Sequence, residues 1–557
     1  MKTIWRRGLA AGVAAATLLI GTGVAGVAAA SHHRAAPMGK STLVLGDQDG
    51  SPTYTANFNP LSVNALEGWW YMYEPLVAIG GLTGNAVPML ATKWAWGNGN
   101  KTLTFTLRSG VKWSNGKPFS AADVVFTFDL LKKYPALDTN GVWKNISSVK
   151  ASGNTVTFNF NSVDIPFAQY IEEQAIVYPG QFTGVNPVTF TDTNPIVTGP
   201  FVMEKFTPQT YTMKKNPLYW DAAQVSVPAI QEVALGANTT ADLQMSQGMF
   251  DQAVLFEPGI QQVYTAKNPK YYHYYFPLAS PVNIYFNLTQ KPFSEVAFRQ
   301  AVAYAVNRQQ IYMKGEYGYE PPANESLLPP ALWNGWLDKS LASKYAYNYN
   351  PKKAEQLLES IGYKLQNGKM VDASGKQLSF TIECPTGWTD WIADLQIIQQ
   401  ELGQVGVKVN ISTPSQTTDY NDVETGHFQA ALSFGWQEFN PYFVYYYLLS
   451  SATSAPIGQA VGGLNYNDER YANPKLDSLI QQLAATANVA QQHKIVDEIQ
   501  QITFTQVPVV SLVSAASWNE YQTNHYVGWP TAQNPYANPS ATWPDPEIIL
   551  QHLRPAP

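Results

Sequence analysis

One stretch, Leu107 to Phe128, constrains the fold most, because it leads from a strand through two turns into a capped helix. At its start, apolar residues alternate with threonines, which is the period of two expected of a half-buried strand, at Leu103, Phe105 and Leu107. Ser109-Gly110 and Asn115-Gly116 supply turn residues. Ser120 is a good N-cap, and Asp123 can complete a capping box with it, so a helix is predicted to follow.

A second region predicts a β-α-β unit. Leu378 to Glu383 and Val407 to Ile411 have the composition of strands, and Asp390 to Val405 between them has helical periodicity. Ala430 to Phe434 is predicted to add another strand. Such units have parallel strands, and ligands of open α/β sheets bind outside the carboxyl ends of those strands.

Composition narrows the class of protein. The chain has 557 residues, of which 45% are hydrophobic and 14% charged, so it can build two or three domains with substantial cores. Its formal charge of -6 argues against a nucleic acid partner. Aromatic residues are abundant, with 16 Trp, 32 Tyr and 24 Phe, which suits a ligand with flat apolar faces.

The amino terminus has the pattern of an export signal. Residues 1–30 combine a basic start, an apolar run and a small-residue site at Ala28-Ala29-Ala30, and residues 31–40 are predicted to form a flexible start. The apolar run also approaches the length of a membrane span, so an uncleaved anchor is the alternative. The one cysteine, Cys384, lies mid-chain, which excludes an internal disulfide and a lipid-modified amino terminus. We expect it to be a small buried residue in an exported protein, periplasmic or associated with the cell envelope.

The Leu107 to Phe128 stretch also resembles a block of the extracellular solute-binding proteins of family 5, the peptide- and oligosaccharide-binding components of ABC importers. The resemblance recurs in order along the chain, at Thr198 to Phe201, Lys215 to Trp220, Asn287 to Arg308 and Asn350 to Ala354. It implies an α/β, three-lobed fold of the periplasmic-binding-protein type, with two halves that close on a ligand cleft. It also implies a monomer without cofactors that works with a membrane permease and separate ATPase subunits.

The resemblance implies particular lobe boundaries. Lobe I would comprise residues 41–77, 198–285 and 513–557, lobe II residues 78–197, and lobe III residues 286–512. Lobes I and II would lie together against lobe III.

The same family leaves the ligand open. Peptide-binding relatives hold the ammonium group of the peptide with an aspartate of lobe III, because a buried ammonium needs a charged partner. The corresponding stretch here, Gly435 to Pro441, has no aspartate; it offers Glu438 and Asn440. This difference favours a neutral ligand, and a peptide receptor with Glu438 as its anchor remains the alternative.

Tryptophans and neutral polar residues favour an oligosaccharide of the cello, xylo or manno type, since sugar rings stack on indole and their hydroxyls need neutral hydrogen-bond partners. Val527 to Pro539 also resembles the tail of the family members that bind such sugars. The predicted ligand-binding residues are Trp388, Trp436, Trp391, Trp70, Trp69, Glu438, Asn440, Asn57 and Asn59.

Enzymatic alternatives have weaker support. A secreted glycoside hydrolase would need two carboxylates flanking the scissile bond. Asp390 and Asp394 have helical spacing, but we interpret them as a solvated helix face or an N-terminal helix charge. The sequence has no metal-binding motif and no glycine-rich phosphate cradle, so we expect ATP to bind the separate transporter subunits.

Overall fold

The computed structural model describes residues 42–46, 53–62, 64–235, 238–436, 440–461, 466–540 and 543–557. The expectations for residues 1–40 and for Glu438 lie outside these ranges. The strands are β1 Thr42–Gly46, β2 Val77–Ile79, β3 Ala86–Pro88, β4 Ala91–Gly97, β5 Thr102–Leu107, β6 Ile146–Ser152, β7 Thr155–Phe160, β8 Phe201–Phe206, β9 Thr210–Lys215, β10 Ala229–Val233, β11 Gln252–Ala253, β12 Tyr272–Tyr274, β13 Leu278–Phe286, β14 Lys364–Gln366, β15 Lys369–Val371, β16 Ser379–Glu383, β17 Lys408–Ser412, β18 Ala430–Phe434, β19 Val510–Ala516, β20 Glu520–Gln522, β21 Tyr526–Val527 and β22 Arg554–Pro555.

The α-helices are α1 Ala121–Lys133, α2 Val142–Asn145, α3 Ala168–Glu172, α4 Asn238–Ser246, α5 Ile260–Val263, α6 Val296–Ala305, α7 Arg308–Gln310, α8 Pro330–Trp336, α9 Lys339–Lys344, α10 Pro351–Ser360, α11 Thr389–Gln404, α12 Gln416–Thr425, α13 Pro441–Leu449, α14 Pro474–Ala485, α15 Val489–Gln506 and α16 Asp545–His552. Short 3-10 helices occupy Glu67–Tyr71, Pro135–Leu137, Pro179–Phe182, Thr265–Lys267 and Ser451–Thr453, and Ile311–Gly315 is a π-helical turn.

Three large sheets organise the described residues, and the α/β fold class is as predicted. A seven-stranded sheet has the order β12-β20-β11-β1-β10-β9-β8, a four-stranded sheet the order β4-β5-β7-β6, and a five-stranded sheet the order β17-β16-β18-β13-β19. The predicted lobe boundaries at 285/286 and 512/513 fall inside β13 and β19, which pair with each other in the five-stranded sheet. We therefore call residues 278–516 the five-stranded region, residues 78–197 the four-stranded region, and the remaining described residues the seven-stranded region.

The seven-stranded and four-stranded regions share one apolar core. One continuous apolar cluster includes Leu43 and Ile230 of the seven-stranded region together with Phe105 and Phe158 of the four-stranded region. The five-stranded region has its own clusters on the two faces of its sheet. The first two regions thus share a core that the third does not.

The stretch that opens the sequence argument forms the predicted strand, turns and helix. Strand β5 spans Thr102–Leu107, and Ser120 caps α1. The Asp123 carboxylate accepts hydrogen bonds from the Ser120 backbone N–H, at 2.8 Å, and from the indole N–H of Trp113, at 3.3 Å. Because Trp113 is fully buried, this block is scaffold.

Two of the recurring sequence blocks meet in space. The guanidinium of Arg108 lies 3.4 Å from the ring centroid of Trp220, and the indole N–H of Trp220 donates to the buried Glu74 carboxyl at 2.6 Å. A tryptophan held in this way between a cation and a carboxyl ties the four-stranded region to the seven-stranded region. Trp220 therefore has a structural role.

Candidate functional site

The carboxyl edge of the five-stranded sheet carries an aromatic cluster. Strand β16 pairs in parallel with both β17 and β18, as the predicted β-α-β unit requires, so these strands end at one edge. Trp388 follows β16 and Phe434 ends β18, with their ring centroids 6.0 Å apart. Trp391, only 4% exposed, packs 4.6 Å from Trp388 and 4.7 Å from Phe434. Trp391 is therefore a core residue here, whereas Trp388 is half-buried at the edge.

Trp436 follows β18 by two residues and lies in a tyrosine cluster. Its ring stacks on Tyr447 with a centroid distance of 4.0 Å and meets the edge of Tyr466 at 5.7 Å. Its indole N–H is buried and has no acceptor among the described residues. An orphan donor beside stacked rings suits a ligand that supplies an oxygen acceptor.

The tyrosines beside Trp436 line a cavity of about 370 Å³ between the four-stranded and five-stranded regions. Four of them come from the five-stranded region, namely Tyr442, Tyr446, Tyr447 and Tyr466, and Tyr170 comes from the four-stranded region. The hydroxyls of Tyr170 and Tyr447 are in contact across the boundary. Neutral polar side chains add hydrogen-bonding groups to the wall, at Thr139, Asn140, Asn145 and Thr453, and charged side chains lie at its edge, at Asp138, Lys144 and Asp164.

A second cavity, of about 270 Å³, continues from the first, because Thr139, Asn140 and Tyr170 line both. Its far wall holds Trp69 and Trp543, whose ring centroids are 4.6 Å apart. Trp70 packs edge-on against Trp69 at 6.4 Å. We call the two adjoining cavities, from Trp69 and Trp543 past Tyr170 to Tyr442, Tyr446, Tyr447 and Tyr466, the tyrosine groove.

The predicted asparagines mostly hold local structure. The buried Asn57 amide donates to the Ser62 hydroxyl at 3.0 Å, and the buried Asn59 amide donates to the Phe190 carbonyl at 3.0 Å. Asn440 caps α13 by accepting from the Tyr442 N–H at 3.0 Å. The neutral polar groups that the groove does expose, Thr139, Asn140 and Asn145, are residues that the sequence argument missed.

Sequence reasoning also missed the tyrosines. The available signal was the tyrosine-rich run Pro441–Leu449, which comes shortly after the predicted strand Ala430 to Phe434. Within this run, Tyr446 is the residue that is only half-buried. No comparable signal pointed to Tyr170 or Trp543, since both reach the groove from distant parts of the chain.

The interpretation of Asp394 as part of a solvated helix face is wrong, whereas Asp390 is half-buried in the first turn of α11, in keeping with the alternative of an N-terminal helix charge. Asp394 is completely buried, and neither of its oxygens has a partner that satisfies normal hydrogen-bond geometry among the described residues. The reason is the close approach of the π-helical turn: a Cβ on Gly315 would lie 1.7 Å from an Asp394 oxygen. Burial raises the pKa of Glu316 to about 8, and burial together with the neighbouring Glu316 raises the pKa of Asp394 well above its ordinary value.

Two further observations bound the chemistry. None of the helices in the described ranges has both the length and the apolar character that crossing a bilayer requires. Within the same ranges, histidine, cysteine and acidic side chains form no group of three or more that could hold a metal ion. Cys384 is buried, as expected.

An α/β fold with an aromatic groove between two of its regions is typical of solute-binding proteins of the periplasmic-binding-protein type. Residues 85–456 match the bacterial extracellular solute-binding proteins, family 5 (middle part), and the chain belongs to this family. It is a substrate-binding protein of an ABC importer.

Individual relatives differ in their ligands. A probable ABC transporter-binding protein of Deinococcus radiodurans is 26% identical over 63% of this chain and 64% of its own length. The dipeptide-binding protein of Escherichia coli is 26% identical over 79% of this chain and 83% of its own. A periplasmic oligopeptide-binding protein of an ABC transporter from Thermotoga maritima, solved with mannohexaose bound, is 27% identical with a TM-score of 0.81, over 93% of this chain and 99% of its own.

Proposed function

We propose that this protein captures a neutral oligosaccharide, of the cello, xylo or manno type, in the tyrosine groove and delivers it to a membrane permease that works with separate ATPase subunits. The observation that carries the proposal is the groove itself, which combines stacked aromatic rings with neutral polar side chains along two adjoining cavities. Sugar rings present apolar C–H faces to such rings and hydroxyls to such side chains. The mannohexaose bound to the Thermotoga maritima relative supports the same class of ligand.

The predicted site residues take different parts in this proposal. Trp69 lines one end of the groove and is backed by Trp70, and Trp436 stacks on Tyr447, which lines the other end. Trp388 offers a further platform at the sheet edge, with Trp391 packed beneath it. Glu438 lies outside the described residues and stays a prediction.

Closure around the ligand would use the strands that join the regions. The chain passes between the seven-stranded and five-stranded regions at the start of β13 and the end of β19, where the Ser517 N–H donates to the Pro277 carbonyl at 2.8 Å. Two adjacent crossings form a natural hinge. A ligand that touches both Tyr170 and Tyr447 would favour the closed form, because it gains contacts that the open form lacks.

A peptide receptor is the second candidate function, because the Escherichia coli relative is a dipeptide-binding protein. In that case a charged group near the carboxyl edge would hold the ammonium group of the peptide. We propose no catalytic activity, in keeping with a family of solute-binding proteins. We also propose that the protein acts as a monomer outside the cytoplasm, not as a lipoprotein.

A thermal-shift screen tests the ligand class. A ligand that binds only the folded state, at 100 times its dissociation constant, adds roughly 2.7 kcal/mol to the free energy of unfolding. We expect this effect from at least one neutral oligosaccharide and from no peptide in a broad mixture. Stabilisation by peptides alone would reject the sugar.

A matched pair of variants tests the groove. Tyr446→Ala removes a half-buried ring from the groove wall, and Tyr349→Ala removes an exposed tyrosine of the same region outside it. Tyr446→Ala should weaken sugar binding by roughly 1 kcal/mol or more, the scale of a stacking contact, and Tyr349→Ala should not. Equal affinities for the two variants would move the binding site elsewhere.

A further inference from the structure

A third cavity, of about 560 Å³, lies between the four-stranded and five-stranded regions and is separate from the tyrosine groove. Helix α3 contributes to both sites: Tyr170 lines the groove, whereas Glu172 lines the third cavity. Trp96 of β4 also lines it, and Trp336 at the end of α8 comes from the five-stranded region. Both regions therefore build this cavity.

Glu172 is the unusual group in the cavity. Its side chain is 9% exposed, and it makes no hydrogen bond or ion pair with any described residue. Burial alone raises the pKa of Glu172 to about 7. The described residues that line the cavity include no lysine, arginine or histidine, so this part of the wall supplies no counter-charge to Glu172. A buried carboxyl without a partner is costly, and a cationic ligand would offset that cost.

The amide side chains of the cavity are already engaged elsewhere. Asn440 accepts from the Tyr442 N–H, and the Gln492 amide donates to the Thr486 carbonyl at 2.9 Å. The Gln169 amide donates to Glu173 at 3.2 Å. A sugar needs several neutral hydrogen-bond partners, and each of these amides already uses part of its hydrogen-bonding capacity within the protein. Glu172 is the polar side chain of the wall that makes no hydrogen bond to a described residue.

Aromatic and apolar side chains form the rest of the wall. Trp96 and Trp336 are half-buried, and Trp336 stacks on His493 with a centroid distance of 4.3 Å. The apolar members of the wall are Ile79, Leu82, Pro166, Leu332, Pro441 and Leu483. Indole faces attract organic cations, and apolar walls accept their hydrocarbon parts.

We propose that this cavity binds an organic cation of the alkylammonium class, whose charge pairs with Glu172 and whose alkyl groups contact Trp96 and Trp336. The site is independent of the oligosaccharide function, because it lies outside the tyrosine groove. Its occupant would bridge the two regions that meet there.

Choline and its neutral isostere, in which a tert-butyl group replaces the trimethylammonium group, provide the test. Titration of the full-length protein without sugar, followed by calorimetry and tryptophan fluorescence, should show saturable binding of choline. The isostere should bind at least about tenfold more weakly, since it keeps the shape and loses the charge. Equal binding of the two compounds, or no saturable binding of choline, would overturn the proposal.

Two isosteric variants locate the site. Glu172→Gln should weaken choline binding by at least about tenfold, whereas Asp164→Asn, which changes a carboxyl of the tyrosine groove, should leave it unchanged. Trp336→Leu gives a second reading if Glu172→Gln fails to fold, because it removes the aromatic face and should also weaken choline binding. The assignment would be refuted if Glu172→Gln bound choline as tightly as the wild type. If Glu172→Gln does not fold, an unchanged choline affinity of Trp336→Leu would refute it instead.

Discussion

Replacing Trp436 by phenylalanine removes the orphan indole N–H and keeps an aromatic ring beside Tyr447. Because this N–H has no acceptor among the described residues, its loss should leave the stability of the ligand-free protein unchanged or slightly raised. If a sugar oxygen accepts from it in the complex, the variant loses one hydrogen bond, worth about 1 kcal/mol, which is about a fivefold weaker affinity.

Trp143→Phe is the matched control, because the Trp143 N–H already donates to the Phe128 carbonyl at 2.6 Å. That variant should lose about 1 kcal/mol of stability and keep its affinity for sugar. Calorimetric titration and thermal unfolding of both variants measure the two quantities separately. An unchanged affinity in Trp436→Phe, or an equal loss in Trp143→Phe, would refute the role of the Trp436 N–H.

Three further predictions concern the scaffold. The pKa of Glu316 is about 8 in the folded state against 4.5 ordinarily, so the folded chain holds its proton across this window and the unfolded chain does not. The free energy of unfolding should therefore fall as pH rises from about 4.5 to 8. Glu316→Gln, which also relieves the repulsion on Asp394, should reduce that fall when thermal unfolding is measured across this pH range. A fall as steep as that of the wild type would contradict the prediction. Arg308 and Glu325 form a buried ion pair at 2.5 Å. Because Glu325→Gln would leave the Arg308 charge buried without a partner, this variant should lose about 3 kcal/mol of stability in chemical denaturation. A loss below about 1 kcal/mol would argue that the Glu325 charge is not needed. A Cβ on Gly199 would lie 2.3 Å from a backbone carbonyl oxygen, so Gly199→Ala should lower the melting temperature, whereas Gly335→Ala, with open space around it, should not.

Local signals predicted the secondary structure well. The β5 strand and the α1 helix follow from an alternating pattern and a capping box that lie within one stretch of sequence. The parallel pairing of β16 and β17 follows from the helix between them. These predictions needed no knowledge of distant contacts.

Predictions that depend on distant contacts were less complete. Asp394 looked solvated because its own helix gives no sign that the turn at Gly315 covers it. The sequence predicted Trp436 from its strand-end position, whereas Tyr170 reaches the groove only through the contact between the four-stranded and five-stranded regions. When a groove is lined by residues from several regions, the sequence of any one region does not reveal it.

The most direct test of the central claim is an equilibrium titration of the purified protein with a neutral hexasaccharide of each type, in competition with a mixed peptide pool. The account predicts saturable binding of at least one hexasaccharide that excess peptide does not displace and that Tyr446→Ala weakens. Binding of peptide with no binding of any sugar would contradict it.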